Sequence, residues 1–387
     1  MQLSNSQKAI QRRVYHHVIK RIHTFFTIVQ PGFEQIAFNE LSHMDIKPLA
    51  ITKGGIVFRG YLYDSYKANM FSRVATRIIM RLTEFRALHF NEIYRTLRNF
   101  PWELYISSET SITVEVSVHK SKLHHTDRIG EEVLNAVEKR MSDFGLHINT
   151  DRLRAQTIYV RFDHDQCGVS LDTTGDPLYK RGYKQHVGRA PLRETIAAAL
   201  LYECDITSYD VIIDPMCGSG TFPIEAWCMV NNFFPGINRG FAFMHWPSFR
   251  KEACHSLVSS INRESHGATI VAGDRDPSMV TIAKKNCTIP GAAMVTYSGD
   301  FLTEKLTLEG KHILCAMNPP YGKRIANDDI AAIYSRLSYI FEYWYPAWSF
   351  CIIIPLKLRH VFTVPVTKEI QFNNGGLPVI ALIGRGR

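Results

Sequence analysis

What this chain of 387 residues lacks narrows its chemistry first. Its eight cysteines form no C-x-x-C pair and no H-E-x-x-H occurs, so neither a zinc site nor a disulfide framework is indicated and reduced thiols are expected. No Gly-Lys-Ser or Gly-Lys-Thr completes a phosphate loop. No apolar run approaches the roughly 20 residues of a membrane helix, and no apolar signal segment opens the sequence, so a cytoplasmic protein with no membrane partner is expected. Acidic charge is scarce: 36 Asp and Glu face 45 Lys and Arg, a formal net charge of +9. That surplus suits a polyanionic partner. It is also uneven, with 27 basic against 19 acidic residues in 1–190 and 18 against 17 in 191–387. The first half is therefore the candidate for holding that partner.

A second set of features is present and specific. Val211-Ile212-Ile213-Asp214-Pro215-Met216-Cys217-Gly218-Ser219-Gly220-Thr221 reads as an apolar strand ending on a carboxylate, a glycine loop and a helix start. Open α/β sheets bind ligands at such strand ends. Gly218 and Gly220 let the backbone pass close to a ligand, while Thr221 and Pro223 are helix-start signals. A dinucleotide fingerprint would need glycine where Pro223 stands and an acid about 20 residues on. The next acids at a strand end are Asp274 and Asp276. A diphosphate is disfavoured, and a nucleoside such as S-adenosylmethionine fits better.

The chemistry is carried by Asn318-Pro319-Pro320-Tyr321-Gly322, which follows the apolar strand 313–317. Two prolines fix φ and cannot donate to a ladder, so the chain leaves the sheet in a stiff turn with free carbonyls. An exocyclic amino group is a poor nucleophile because its lone pair is delocalised into the base. The Asn318 side-chain oxygen and the Pro319 carbonyl, each roughly 2.7–3.2 Å from that nitrogen, could accept its two protons and turn the lone pair toward a methyl group. Tyr321 can stack on the base. No metal and no covalent intermediate are needed. Cys217 lies in the donor loop, away from the place a nucleophilic thiol of a cytosine-C5 mechanism would occupy.

These motifs, with Asp172-Thr173-Thr174-Gly175, Lys180-Arg181-Gly182-Tyr183, Ala190-Pro191-Leu192-Arg193-Glu194 and Asn373-Asn374-Gly375-Gly376, give a sequence that resembles the THUMP-domain class I RNA methyltransferases. It is most similar to the bacterial enzymes that form N2-methylguanosine in large-subunit ribosomal RNA. The resemblance runs from about Phe25 to the C-terminus. It implies an α/β fold: a Rossmann-like class I methyltransferase domain over 191–387, preceded by a ferredoxin-like domain (25–70) and an α+β THUMP RNA-binding domain (71–170). Residues 1–24 then form a basic extension, either an RNA-contacting arm or a solvated segment, and 171–190 a linker.

Site expectations follow. Asp214, Pro215, Cys217, Gly218, Gly220 and Thr221 would cradle the donor. Asp274 would accept from the ribose hydroxyls, with Asp276 before Pro277 better suited to a helix cap, and Asp300 and Phe301 would meet the adenine. Lys120 and Lys122, in a basic loop entering a helix, suit phosphate. Lys180, Arg181, Tyr183 and Lys184 have the cation-and-aromatic composition of a single-stranded RNA contact. A helix is expected over 72–82, spacing Arg73, Arg77 and Arg81 at four-residue intervals. The aromatic insertion Phe241–Trp246 is expected to cover the pocket or to pack on the catalytic sheet. A monomer is expected. The alternatives are a transfer RNA guanine enzyme, a DNA adenine-N6 enzyme, or an RNA-binding assembly factor without turnover.

Overall fold

A computed structural model of the chain describes residues 2–108, 110–148, 155–184, 192–259, 265–289, 291–321 and 327–386. Arg189, Ala190, Pro191 and Gly322 of the motifs above lie outside them. The chain forms two compact units, each drawing on separated stretches of sequence.

The first unit comprises Met1–Ile28, Leu41–Leu178 and Arg239–Ser260. Its sheet has seven strands: β1 (His23–Ile28), β2 (Pro48–Thr52), β3 (Gly55–Gly60), β4 (Arg77–Arg86), β5 (Ser111–His119), β6 (Ala155–Asp163) and β7 (Gln166–Asp172), in the order β2-β3-β1-β4-β7-β6-β5. Of the segment expected to be a helix, 72–76 form no regular element and 77–82 begin β4, which is hydrogen-bonded to β1 on one side and to β7 on the other. The buried run Ile78-Ile79-Met80 explains the difference. A central strand covered on both faces loses polar alternation, and β-branched residues favour the pleated surface. The arginine period of four is equally a strand period, because positions 77 and 81 share a face.

Helices α1 (Gln2–Val14), α3 (Leu62–Phe71), α4 (Phe90–Asn99) and α5 (Thr126–Asp143) complete this unit with α8 (Lys251–Ser259). On α5 the stripe Ile129, Val133, Val137 and Met141 is wholly buried, as its four-residue spacing predicts. The N-terminal segment is anchored by one side and exposes Lys8, Arg12 and Lys20 on the other. Val14 and Val18 are buried, and Arg13 donates to Glu103, which also receives Arg140 from α5.

The insertion Phe241–Trp246 does not pack on the catalytic sheet as one expectation had it, since it belongs to the first unit. Its Ala242 and Phe243 amides donate to the Thr174 and Thr173 carbonyls, and Phe243 stacks on Tyr66 with centroids 4.2 Å apart. The Trp246 indole N–H donates to Gln156 Oε1 at 2.7 Å. Trp246→Phe should therefore destabilise this unit by about 1–3 kcal/mol, the cost of orphaning a buried amide oxygen. Urea unfolding read by hydrogen exchange of β6 is the check, and unchanged protection would refute it.

The second unit comprises Val29–Glu40, Tyr179–Asn238 and Ile261–Arg387. Its sheet takes β8 (Val211–Asp214), β9 (Thr269–Asp274), β10 (Val295–Ser298), β11 (Ile313–Met317), β12 (Ser349–Pro355), β13 (Val366–Asn374) and β14 (Leu377–Arg385) in the order β10-β9-β8-β11-β12-β14-β13. All neighbours are parallel except those made by β14. Helices α6 (Glu194–Glu203), α7 (Thr221–Val230), α9 (Pro277–Asn286) and α10 (Asn327–Tyr339) belong to it, α10 running into a π-turn over Ile340–Trp344. Helix α2 (Glu34–His43) begins in this unit, where Phe33 just before it packs on Phe372. Strand β8 lies between β9 and β11, so the order reverses at β8 and its carboxyl end opens on the crevice where such sheets bind ligands.

Candidate active site

The expected donor loop closes on itself through backbone contacts. After β8 the Cys217 amide donates to the Gly273 carbonyl at 2.8 Å, and the Gly218 amide donates to Asp274 Oδ2 at 2.9 Å. Gly220 caps α7 at φ +86, and a Cβ there would stand 3.0 Å from the Ala283 Cβ, so glycine is required both by conformation and by the closeness of α9. Asn286 on α9 donates to the Ser219 carbonyl. Asp214 is buried and accepts from the Met216 amide. Burial, with the Asp274 charge adding to it, pushes its carboxyl well above the ordinary range, opposed only by that amide bond.

The loop borders a cavity of about 310 Å³. Asp214, Pro215, Cys217, Gly218, Thr221, Asp274, Asp276, Asp300 and Phe301 line it together with Asn318 and Pro320, so the two motifs face one crevice although about a hundred residues separate them. The register explains this: β11 runs parallel beside β8, with Cys315 opposite Ile213, and Asn318 therefore leaves the sheet at the same edge as Asp214. Pro319 is buried, and neither it nor Gly220 or Tyr321 is among the lining residues.

Individual acids hold distinct partners. Asp274 Oδ1 accepts from the Asp276 amide at 3.0 Å, so each of its oxygens retains lone-pair capacity for a ribose hydroxyl. Asp276 caps α9 through the Ser278 amide at 2.8 Å, as its place before Pro277 predicts. Asp300 Oδ1 accepts from the Leu302 amide. Phe301 stacks on Tyr345, centroids 5.7 Å apart at 6°, and Tyr345 stacks in turn on Trp348. An aromatic pile thus fixes the wall on which an adenine ring would lie. Leu192 also lines the cavity, in the Ala190-Pro191-Leu192-Arg193-Glu194 motif that the family resemblance sets beside the methyl donor, and so do Met279 and Ile333, which were not anticipated. For Ile333 the signal was present in its place on the apolar face of α10.

The Asn318 side-chain oxygen is shielded from solvent and has no hydrogen-bond partner among the described residues. Leaving such an acceptor unpaired costs about 1–3 kcal/mol, a cost that an amino group entering the cavity would relieve. The Tyr321 hydroxyl receives the Asn374 amide at 2.6 Å, which gives the Asn373-Asn374-Gly375-Gly376 turn a part in holding the tyrosine.

Three of the residues expected to meet RNA are elsewhere. Arg181 and Tyr183 are buried in the second unit, with the Tyr183 hydroxyl donating to Glu225 Oε1 at 2.6 Å and Arg181 paired to the same carboxylate at 3.4 Å. Lys184 is enclosed between Leu192, Thr221 and Glu194. Their polar groups are spent on internal partners, and this corrects the expectation. Lys180 is exposed in this unit, as are Lys120 and Lys122 on the loop before α5 in the first. Beside that loop His119 and His164 both contact Asp163 Oδ1, at 3.0 and 2.7 Å, and with Arg161 they hold the Asp163 carboxyl down at about 2. That carboxylate is satisfied by its neighbours.

Cys217 is a poor nucleophile here. Burial, reinforced by Asp214 and Asp274, raises its thiol far above the ordinary range, so Cys217→Ser should leave methyl transfer within about twofold of wild type. A loss of several orders of magnitude in a turnover assay would revive a thiol mechanism.

Comparison with known proteins agrees with this geometry. Residues 24–79 match the RlmL ferredoxin-like domain family, 87–172 the THUMP domain family, and 181–359 the RMKL-like methyltransferase domain family. A protein of Synechocystis sp., provisionally named an RNA methyltransferase, is 29% identical over 92% of this chain and 95% of its own length. The ribosomal RNA large subunit methyltransferase K/L of Psychromonas ingrahamii is 28% identical over 92% of this chain but 49% of its own. The chain thus spans about half the length of that relative. The crystal structure of SMU.472, provisionally described as a methyltransferase and complexed with SAH, has a TM-score of 0.84 at 26% identity and covers 95% of this chain and 99% of that one.

Proposed function

We propose that this chain, which carries the ferredoxin-like, THUMP and RMKL-like methyltransferase domains, is a THUMP-domain class I S-adenosylmethionine-dependent RNA methyltransferase that methylates guanine N2 in large-subunit ribosomal RNA. The observation that carries the reaction type is the shielded Asn318 oxygen, unpartnered among the described residues, in the same crevice as the Gly218 loop and the acids of β8 and β9. When bound, S-adenosylmethionine supplies an electrophilic methyl group. The four acids lining the cavity suit its adenosine hydroxyls, amino groups and sulfonium charge, so the residues fit this donor.

In this reading Asn318 Oδ1 and the Pro319 carbonyl accept the two protons of the base amine and orient its lone pair. Tyr321, held by Asn374, stacks on the base. Alignment alone can contribute roughly 7–11 kcal/mol in well-oriented systems. A guanine inside a duplex would have to be extruded first. The ribosomal substrate is supported by the K/L relative, by the THUMP domain and by the basic surplus of residues 1–190.

The test is to digest ribosomal RNA, transfer RNA and DNA from cells with and without this gene and to map the methylated nucleosides. Loss of one N2-methylguanosine from large-subunit RNA is expected. Loss from transfer RNA, or loss of N6-methyladenosine from DNA, would overturn the substrate assignment. No change in any pool, with S-adenosylmethionine still bound in calorimetry, would point to an assembly factor without turnover.

A further inference from the structure

Lys184, expected to meet RNA, instead lies behind the donor cavity. Its ammonium donates to the Leu192 carbonyl at 2.9 Å and to Thr221 Oγ1 at 2.8 Å, and Glu194 Oε1 stands 3.6 Å away. Only 7% of the side chain is exposed. Leu192 and Thr221 both line the cavity, so one buried cation ties together two of its walls.

We propose that Lys184 is a positioning residue for the carboxylate end of the methyl donor, acting through the Thr221 hydroxyl. The inference rests on the reading of this cavity as the donor site. A hydroxyl has one proton and two acceptor positions. Because Thr221 Oγ1 already accepts from the ammonium, its own proton is left to donate, and Thr221 faces the cavity. Hydrogen-bonding to a cation also polarises the O–H, which strengthens it as a donor to an anion.

The charge distribution says which end of the donor this serves. Asp274, Asp276 and Asp300 stand at or just beyond the ends of β9 and β10 and suit an adenosine, but they repel a carboxylate. Another part of the wall carries Leu192, the Thr221 hydroxyl and the first turn of α7, where backbone amides and the helix dipole favour negative charge. Lys184 is placed behind that wall. Its partner Glu194 opens α6, so the same contact also sets the start of that helix against the donor loop.

Calorimetry with two ligands tests this. S-adenosylhomocysteine carries the amino-acid carboxylate and 5′-methylthioadenosine lacks it. In Lys184→Met, affinity for S-adenosylhomocysteine should fall by about tenfold or more, the fold-change of a charge-assisted hydrogen bond. Affinity for 5′-methylthioadenosine should stay within about twofold. Thr221→Val should show the same selective loss, and the double variant should lose little beyond either single one, because both act through one hydroxyl. Equal loss for both ligands, no loss for either, or additive losses in the double variant would overturn the proposal. If Lys184→Met does not fold, the selectivity of Thr221→Val decides alone. Wild-type protein that binds neither ligand would remove the donor-site reading itself, a result distinct from any of these.

Discussion

Asn318→Ala abolishes methyl transfer while leaving donor affinity within a few fold. The expectation follows from where the side chain stands. Among the described residues its oxygen is shielded and unpartnered, it lines the cavity beyond the donor loop, and none of the hydrogen bonds found there that shape that loop runs through it. Truncation therefore spares the donor cradle and removes only the acceptor that orients the base amine. Removing one preorganised polar contact to a reacting centre commonly costs about 10²–10³ in kcat, and here the acceptor also sets the direction of the attacking lone pair. A fall of at least about 10³ is expected in single-turnover transfer of labelled methyl to ribosomal RNA. Calorimetry with S-adenosylhomocysteine gives the binding half of the comparison. Asn318→Asp keeps an acceptor in place and should retain more activity than the alanine variant. Wild-type turnover in Asn318→Ala would take the proline corner out of the mechanism.

The two motifs could be paired from sequence because each is a local pattern, an apolar strand followed by a turn whose residues have one plausible use. The parallel register of β8 and β11 then brings Asp214 and Asn318 to one edge without further information. What escaped was non-local. Arg181 and Lys184 carry a cation-and-aromatic pattern that suits RNA equally well, and only the fold reveals that Glu225 on α7 and Glu194 on α6 neutralise them. The aromatic run at 241–246 reads as core in any protein, but its composition cannot say which core. The Thr173 and Thr174 carbonyls and Tyr66 decide that. At 72–82 the apolar spacing of Val74, Ile78, Ile79 and Leu82 reads as a helix that sets arginines at every fourth position. Period four is common to helix and strand faces, and the bonds to β1 and β7 decide it. The π-turn at Ile340–Trp344 was likewise invisible, since its apolar spacing continues that of α10.

That arginine series also leads to the largest stability effect expected in the first unit. Arg77, at the start of β4, is paired with Asp172 at the end of β7 and donates to the Gly175 carbonyl at 2.6 Å. Asp172 is almost wholly buried and also accepts from the Thr174 and Gly175 amides at 2.9 and 3.1 Å. Its carboxyl is nevertheless pushed up to about 6, because burial outweighs the guanidinium and the amides. Arg77→Met keeps the aliphatic packing and strands the carboxylate, a change that typically costs about 3–5 kcal/mol. The sign of the pH dependence follows from the protons bound. An unfolded aspartate titrates near about 3.9, so between there and about 6 the folded state holds more protons, and its stability falls as pH rises through that window. Without Arg77 the folded carboxyl moves higher still, which extends the decline toward neutral pH. Wild type and variant should therefore lie closer together at pH 5 than at pH 8, as read by hydrogen exchange of β4 and β7 peptides across a urea series. Adding Asp172→Asn to Arg77→Met should recover part of the loss at pH 8, since no buried charge then remains to be paired. A deficit that is the same at both pH values, or a double variant no better than the single one, would mean that Arg77 acts by packing alone.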